Sequence, residues 1–211
     1  MSAAAAVLAA ILAAPGAAPV EGELVPQRVV TVAMAQCAVR RDPVAAEHFV
    51  LADLSDGDGA MPPPLKAARQ RIIQALTPCV GHNFGSVTMP GIALRGFLAE
   101  ALLTTNAGTA LTAAGALPAV AAAPTAPGGH MGARFWRCVV AAAPRASADL
   151  IAAPDRSPEE GKAFDALLPS LQQCAPRDGA LRIRPGNVRP QVAAALYVRL
   201  HASGGAMGGE G

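Results

Sequence analysis

Cys37-Ala38-Val39-Arg40-Arg41-Asp42-Pro43-Val44-Ala45-Ala46-Glu47-His48-Phe49-Val50 has a counterpart later in the chain. It is Cys138-Val139-Val140-Ala141-Ala142-Ala143-Pro144-Arg145-Ala146-Ser147-Ala148-Asp149-Leu150-Ile151. In both stretches a valine follows the cysteine at two residues and a proline at six, and the large apolar pairs Phe49-Val50 and Leu150-Ile151 coincide. A second block sets Ile72-Ile73-Gln74-Ala75-Leu76-Thr77-Pro78-Cys79 against Leu167-Leu168-Pro169-Ser170-Leu171-Gln172-Gln173-Cys174. A third sets Leu94-Arg95-Gly96-Phe97-Leu98-Ala99-Glu100-Ala101-Leu102-Leu103 against Val188-Arg189-Pro190-Gln191-Val192-Ala193-Ala194-Ala195-Leu196-Tyr197. Alanine-rich sequence can produce one such match by chance. Three in the same order, placing both pairs of cysteines, read as a tandem duplication.

The units that follow are a first copy at residues 25–105, an Ala/Gly/Pro-rich linker at 106–132 and a second copy at 133–201. Each copy reads as helices, so the fold class expected is all-α. The segment Val25–Arg41 has no proline after Pro26 and predicts a helix ending at Asp42-Pro43. Asp42 is then the cap of a second helix whose first position is Pro43. The second copy keeps Pro144 and loses the aspartate. Leu65, Ile72-Ile73, Leu76 and Cys79 stand at helical spacing, as do Phe164, Leu167-Leu168, Leu171 and Cys174. Ser157-Pro158-Glu159-Glu160 supplies a cap, a first-turn proline and the acidic residue of a capping box. Pro169 inside that helix is expected to kink or shorten it. After each closing cysteine a brief alternation, Val87-Thr88-Met89 and Leu181-Arg182-Ile183, fits a short strand. A fourth helix, about Ile92–Thr104 and Val188–His201, closes each copy. The linker admits a weak alanine helix ended by Pro118, and residues 202–211 read as a disordered tail.

The hydrophobic fraction is 52%, but much of it is alanine, with five Phe, one Trp and one Tyr. Alanine buries little area, so the core must come from Leu, Ile, Val and a few Phe between close-lying helices. Ala3–Ala14 is an unbroken apolar run of twelve residues followed by Pro15-Gly16-Ala17-Ala18. Twelve is the length of a signal-peptide core and too short for a spanning helix. Residues 1–18 are therefore read as a signal peptide, and the compartment as periplasmic or extracellular. An alanine-rich leader on a cytoplasmic protein is the alternative. No transmembrane segment is expected in the mature chain.

Four cysteines in an exported chain suggest disulfides, and four permit three connectivities. The repeat favours Cys37–Cys79 and Cys138–Cys174, because each copy then closes itself in the same way. No Cys-x-x-Cys redox pair is present, and the spacing does not suit zinc.

A formal net charge of +2 gives no reason to expect nucleic acid. One local exception is the alternation of Arg182 and Arg184 with Arg177 and Arg189, a candidate basic strip. His48, His82, His130 and His201 lack histidine partners at helical spacing, and no metal or cofactor is expected. Asp53, Asp56 and Asp58 imitate part of a calcium loop, but no Glu stands at its twelfth position and Pro62-Pro63-Pro64 takes the place of the exiting helix. Gly85-Ser86-Val87-Thr88 lacks the second glycine of a nucleophile elbow. No catalytic residue is assigned. Arg95 and Arg189, retained by both copies, read either as partners of backbone carbonyls or as an anion-binding pair.

Two functions remain. The first is a non-enzymatic structural or partner-binding protein of the cell envelope. The second is a hydrolase-type enzyme with a site at the junction of the copies, drawn from His82, Arg95, Glu100 and Arg189. The pattern Cys37, Val39, Asp42-Pro43, Cys79 and Arg95 through Leu102 resembles a group of uncharacterised exported proteins from GC-rich α-proteobacteria. That resemblance implies export and a cysteine-bracketed helical repeat, with no reaction attached.

Overall fold

Pro43 and Pro144 each close one helix and open the next, and this arrangement organises both halves of the molecule. The structure, a computed structural model, describes residues 27–52, 63–80, 91–105, 109–125, 131–177, 183 and 185–205. Among them are nine α-helices, two 3₁₀ turns and no strand, so the fold is all-α. The stretch around Val87–Met89 lies outside the described residues, as does Leu181–Arg182. Thr31–Gly211 forms one compact unit and Met1–Val30 another, of which only Gln27–Val30, the first turn of a helix, is described.

The first half runs α1 (Gln27–Arg41), α2 (Pro43–Leu51), α3 (Pro63–Leu76) and α4 (Gly91–Thr105). A short α5 (Thr109–Gly115) follows. The second half runs α6 (Met131–Ala142), α7 (Pro144–Ala152), α8 (Pro158–Cys174) and α9 (Val188–Gly205). At the α1–α2 junction the Asp42 carboxylate accepts the Ala45 N–H at 3.0 Å, the cap expected of an aspartate before a first-turn proline. Ala143 holds a similar backbone (φ −135°, ψ 63°, against −146° and 76° at Asp42) without a side-chain cap. Pro63 and Pro64, read from sequence as a block to a helix, are instead the first residues of α3. A missing N–H there removes no intrahelical bond.

The α8 start departs from the capping-box pattern in one respect. Ser157 Oγ accepts the Glu160 N–H at 3.1 Å, but the Glu160 carboxylate accepts from Arg156 N–H at 2.6 Å. Arg156 has a φ of +58°, the left-handed region that costs an ordinary side chain roughly 1 kcal/mol or more. The carboxylate holding its N–H offsets part of that cost. Downstream, α8 continues through Pro169 to Cys174 and is not shortened.

Two disulfides close the halves, Cys37 to Cys79 and Cys138 to Cys174, each with a Cα–Cα distance of 5.9 Å. Matched positions face inward in both: Met34, Ala35, Ala38 and Val39 of α1, and Phe135, Trp136, Val139 and Val140 of α6. The core is continuous across the halves, with Phe49, Ile72, Leu98 and Leu103 in one cluster with Phe135, Ile151, Leu167 and Leu196. Helices α4 and α9 pack along each other at its centre.

The segment between the halves is held to the second one. Helix α5 packs on α7 and buries Ala114. From Pro118 to Thr125 the chain runs without regular structure, as a strap tied at both ends. Val120 N–H donates to the Ala141 carbonyl at 2.8 Å. Thr125 donates to the Cys174 carbonyl through N–H at 3.0 Å and hydroxyl at 2.7 Å. At the C-terminus α9 runs on to Gly205, so the start of the expected tail at residues 202–205 is helical.

Candidate functional site

Arg189 stands in the first turn of α9 with its guanidinium 10% exposed. An arginine carries five N–H donors in a fixed fork and stays charged in proteins, so burial demands that most of them find acceptors. Four bonds are made here. Nε donates to Glu100 Oε1 at 2.8 Å, Nη1 to the Ala153 carbonyl at 2.8 Å and to Glu160 Oε1 at 3.1 Å, and Nη2 to the Ile151 carbonyl at 2.9 Å. The carbonyls belong to the C-terminal end of α7, where the aligned peptide dipoles leave partial negative charge. Glu100 lies on α4 in the other half and its side chain is 5% exposed. One guanidinium thereby ties α4, α7, α8 and α9 together.

Arg95 repeats part of this on the first half. From the first turns of α4 its Nε donates to the Val50 carbonyl at 2.8 Å, in the last turn of α2. Val50 and Ile151 occupy matching places in the two cysteine-led stretches. Arg199 does related work on α6: Nη1 donates to the Val140 carbonyl at 2.7 Å and Nη2 to the Pro118 carbonyl. Burial lowers the Arg199 pKa. All three arginines bind the C-terminal turn of a helix.

Of the residues drawn from sequence as a junction site, Glu100 and Arg189 meet as a buried ion pair across the halves. Arg95 is engaged with Val50, and His82 lies outside the described residues. Arg189, with four of its five donors committed and 8% residue exposure, has its face turned to protein rather than to an incoming anion. The basic strip expected to include it is corrected accordingly: Arg189 points into the core, and Arg182 and Arg184 are outside the described residues. The acidic turn at Asp53–Gly59, His130 and Gly85–Thr88 also fall outside them. His48 is exposed on α2.

Sequence reasoning missed two participants. Glu160 was visible only as a cap residue, and Arg199 carried no signal, since its matched position in the first half is Thr105. A second polar group joins the halves where Glu47 of α2 approaches His201 of α9, Oε1 to Nδ1 at 3.5 Å. The Tyr197 ring lies 4.4 Å from that imidazole, centroid to centroid. Burial, with a smaller contribution from Glu47, pushes the Tyr197 hydroxyl up to about 12.

Among the described residues no group of three or more His, Cys, Asp or Glu is placed to hold a metal ion, and no helix is long and apolar enough to cross a membrane. No family model, curated protein or solved structure matches the chain.

Proposed function

We propose that the protein is a non-enzymatic scaffold of the cell envelope, exported to an oxidising compartment and built from two diverged copies of one four-helix unit. The observation that carries this reading is what the halves have in common. Their shared polar and reactive residues are the paired cysteines and Arg95/Arg189, and every one of them holds helices together. Two disulfides in so small a chain fit the periplasm or the exterior, where thiols are not kept reduced. The resemblance to exported α-proteobacterial proteins and the apolar leader at residues 3–14 support the same location. Helix ends at matching positions and arginines on matching carbonyls support the duplication.

The test is the intact mass of the protein isolated from its native host, with and without alkylation of free thiols. The expected product lacks the leader, starts near Pro19 and takes up no alkylating agent until reduced. Material that retains Met1 and alkylates at all four cysteines would overturn the reading.

A further inference from the structure

The first disulfide differs from the second in the charges set around it. Arg40 and Arg41 follow Cys37 at i+3 and i+4 in the last turn of α1, and both are exposed. Residues at those spacings share a helix face, with Cβ atoms about 5–6 Å apart. A helical side chain leans toward the N-terminus and covers the turn before its own Cα, so both arginines lean over the turn that holds Cys37. The carboxylate nearest in sequence, Asp42, does not cancel them, because Arg71 binds both of its oxygens, at 2.9 and 2.7 Å. Cys79 has the opposite setting. It ends the 3₁₀ turn that follows α3, and its sulfur lies 3.2 Å from the Ala75 carbonyl oxygen. The bridge is thus polarised, with two cations a turn from one sulfur and a carbonyl oxygen against the other.

The second bridge is set differently. At i+3 and i+4 from Cys138 stand Ala141 and Ala142. Arg134 and Arg137 precede that cysteine on the same helix, so their side chains lean away from it. The Cys138 sulfur lies 3.3 Å from the Ala123 carbonyl oxygen, and its partner Cys174 is fully buried. Cys37 and Cys79 are both half-buried.

We propose that Cys37–Cys79 is a thiol–disulfide exchange site for small anionic thiols, which attack Cys79 and expel Cys37. The incoming thiolate gives an electron pair to the Cys79 sulfur. The new S–S bond forms as the Cys37–Cys79 bond breaks, and the electron pair of the broken bond leaves on Cys37. The products are a mixed disulfide on Cys79 and a free Cys37, whose thiolate takes up a proton from water. One disulfide replaces another, so no further oxidant or reductant is needed. Cations beside a leaving sulfur stabilise its thiolate, and a more stable thiolate leaves faster. The same two arginines attract a thiol that carries carboxylates, and sulfurs that are half-buried admit a small one. The site requires only that the bridge be formed, and it is independent of where the chain resides.

The experiment is brief exposure of the full disulfide-bonded chain to glutathione, followed by alkylation and peptide mapping by mass. The first product expected carries glutathione on Cys79 and the alkylating group on Cys37, with Cys138–Cys174 intact. Replacing Arg40 and Arg41 together by Gln should slow the reaction with glutathione by about fivefold at low salt, and by less at high salt. Cysteamine, whose ammonium offsets its thiolate, should slow by only about twofold in the same variant. Arg40→Lys combined with Arg41→Lys keeps both charges and should restore most of the glutathione rate. Arg137→Gln, on the exposed face of α6, serves as the control and should react as the parent does. Circular dichroism of each variant confines the comparison to folded chains. Glutathione found first on Cys37 or on the second pair overturns the proposal. So does an equal loss with glutathione and cysteamine in the Gln variant.

Discussion

Gly96 of α4 packs directly against Pro190 of α9. A Cβ added to Gly96 would fall 2.5 Å from the Pro190 Cβ and 2.6 Å from its carbonyl oxygen. They are also the residues that follow Arg95 and Arg189 in the matched blocks, so this contact joins corresponding positions. A glycine inside a helix ordinarily costs about 1 kcal/mol relative to alanine. Gly161 of α8, with nothing within 4 Å of its added Cβ, should follow that rule. Gly161→Ala is expected to stabilise by about 0.5 to 1 kcal/mol. Gly96→Ala should do the reverse, destabilising by about 1 to 3 kcal/mol, because the obstructing atoms include backbone that cannot rotate away. Urea unfolding of both variants checks this, and the same sign for the two would mean that α4 and α9 are farther apart than described.

Arg189 and Glu100 should be costly to separate and cheap to remove together. Arg189→Met takes the guanidinium away from the buried Glu100 carboxylate and abandons two helix-end carbonyls, for an expected loss of about 3 to 5 kcal/mol. Arg189→Met combined with Glu100→Leu should recover a large part of that loss. Arg95→Met, at a half-buried position, is expected to cost only about 1 kcal/mol through its bond to a neutral carbonyl. Denaturant midpoints of the three variants decide the order. A double variant no more stable than Arg189→Met alone would argue against the pairing.

Asp42 and Ala143 offer a matched test of one cap. The Ala45 N–H lowers the Asp42 pKa below the ordinary aspartate value, with Arg71 adding to the effect and burial opposing it. A depressed folded-state value means that the carboxylate stabilises the fold above the unfolded pKa, near 4. That contribution is lost as the pH falls through the lower, folded value. Asp42→Ala is expected to cost about 1 kcal/mol at neutral pH, and the difference from the parent should shrink below pH ~4. Ala143→Asp, placed on nearly the same backbone, should gain about 1 kcal/mol at neutral pH. Thermal melts at neutral and acid pH supply the comparison, and a pH-independent gap between Asp42→Ala and the parent would refute the cap.

The local parts of this architecture were legible because their causes are local. Asp42-Pro43 writes a helix stop and a helix start, and Ser157 caps the helix it precedes. The cysteine pairing followed from asking each cysteine-bracketed half to close itself. The arginines at matched positions announced a common task, and carbonyls of a preceding helix are what Arg95 and Arg189 hold. What the sequence left open are relations between distant segments. Glu100 follows an arginine by five residues on its own helix, and that its carboxylate also binds Arg189 in the other half is decided by the α4–α9 packing. Glu160 reads as a cap residue, and its turn toward Arg156 and Arg189 depends on where α9 is laid down. The strap at Pro118–Thr125 has no periodicity to betray it, and its bonds to Ala141 and Cys174 exist only once α6 and α8 are side by side.

Tyr197 is the single tyrosine of the chain, so tyrosinate absorbance reports one site. Its hydroxyl is held at about 12, first by burial and then by Glu47. Alkaline titration of the folded protein should therefore show a midpoint well above the ordinary value of about 10. The sign for stability follows from the raised folded value. The contribution is complete below pH ~10, where the unfolded chain also keeps its proton, and it is lost as the pH rises toward 12. Glu47→Gln should move the midpoint down by a fraction of the total shift, since burial is the larger cause. A midpoint at the ordinary value in folded protein would place the ring in solvent and separate α2 from α9 at this point.

The two disulfides should open in a fixed order. Cys37 and Cys79 are both half-buried, whereas Cys174 is fully buried and only Cys138 of the second pair reaches the surface. The strap adds cover to the second bridge, with Thr125 bonded to the Cys174 carbonyl and the Ala123 oxygen 3.3 Å from the Cys138 sulfur. Exchange needs a thiolate to approach a disulfide sulfur, so access favours attack on Cys37–Cys79. Limited reduction followed by alkylation and peptide mapping should label Cys37 and Cys79 before Cys138 and Cys174. With sequence separations of 42 and 36 residues, loop closure assigns each bridge about 4 kcal/mol. Cys37→Ser/Cys79→Ser should lower the denaturant midpoint by a comparable amount to Cys138→Ser/Cys174→Ser, although the two bridges differ in how fast they open. Equal labelling of the two pairs in the parent would overturn the access argument, and clearly unequal losses in the two mutant pairs would assign the difference in stability to packing rather than to loop closure.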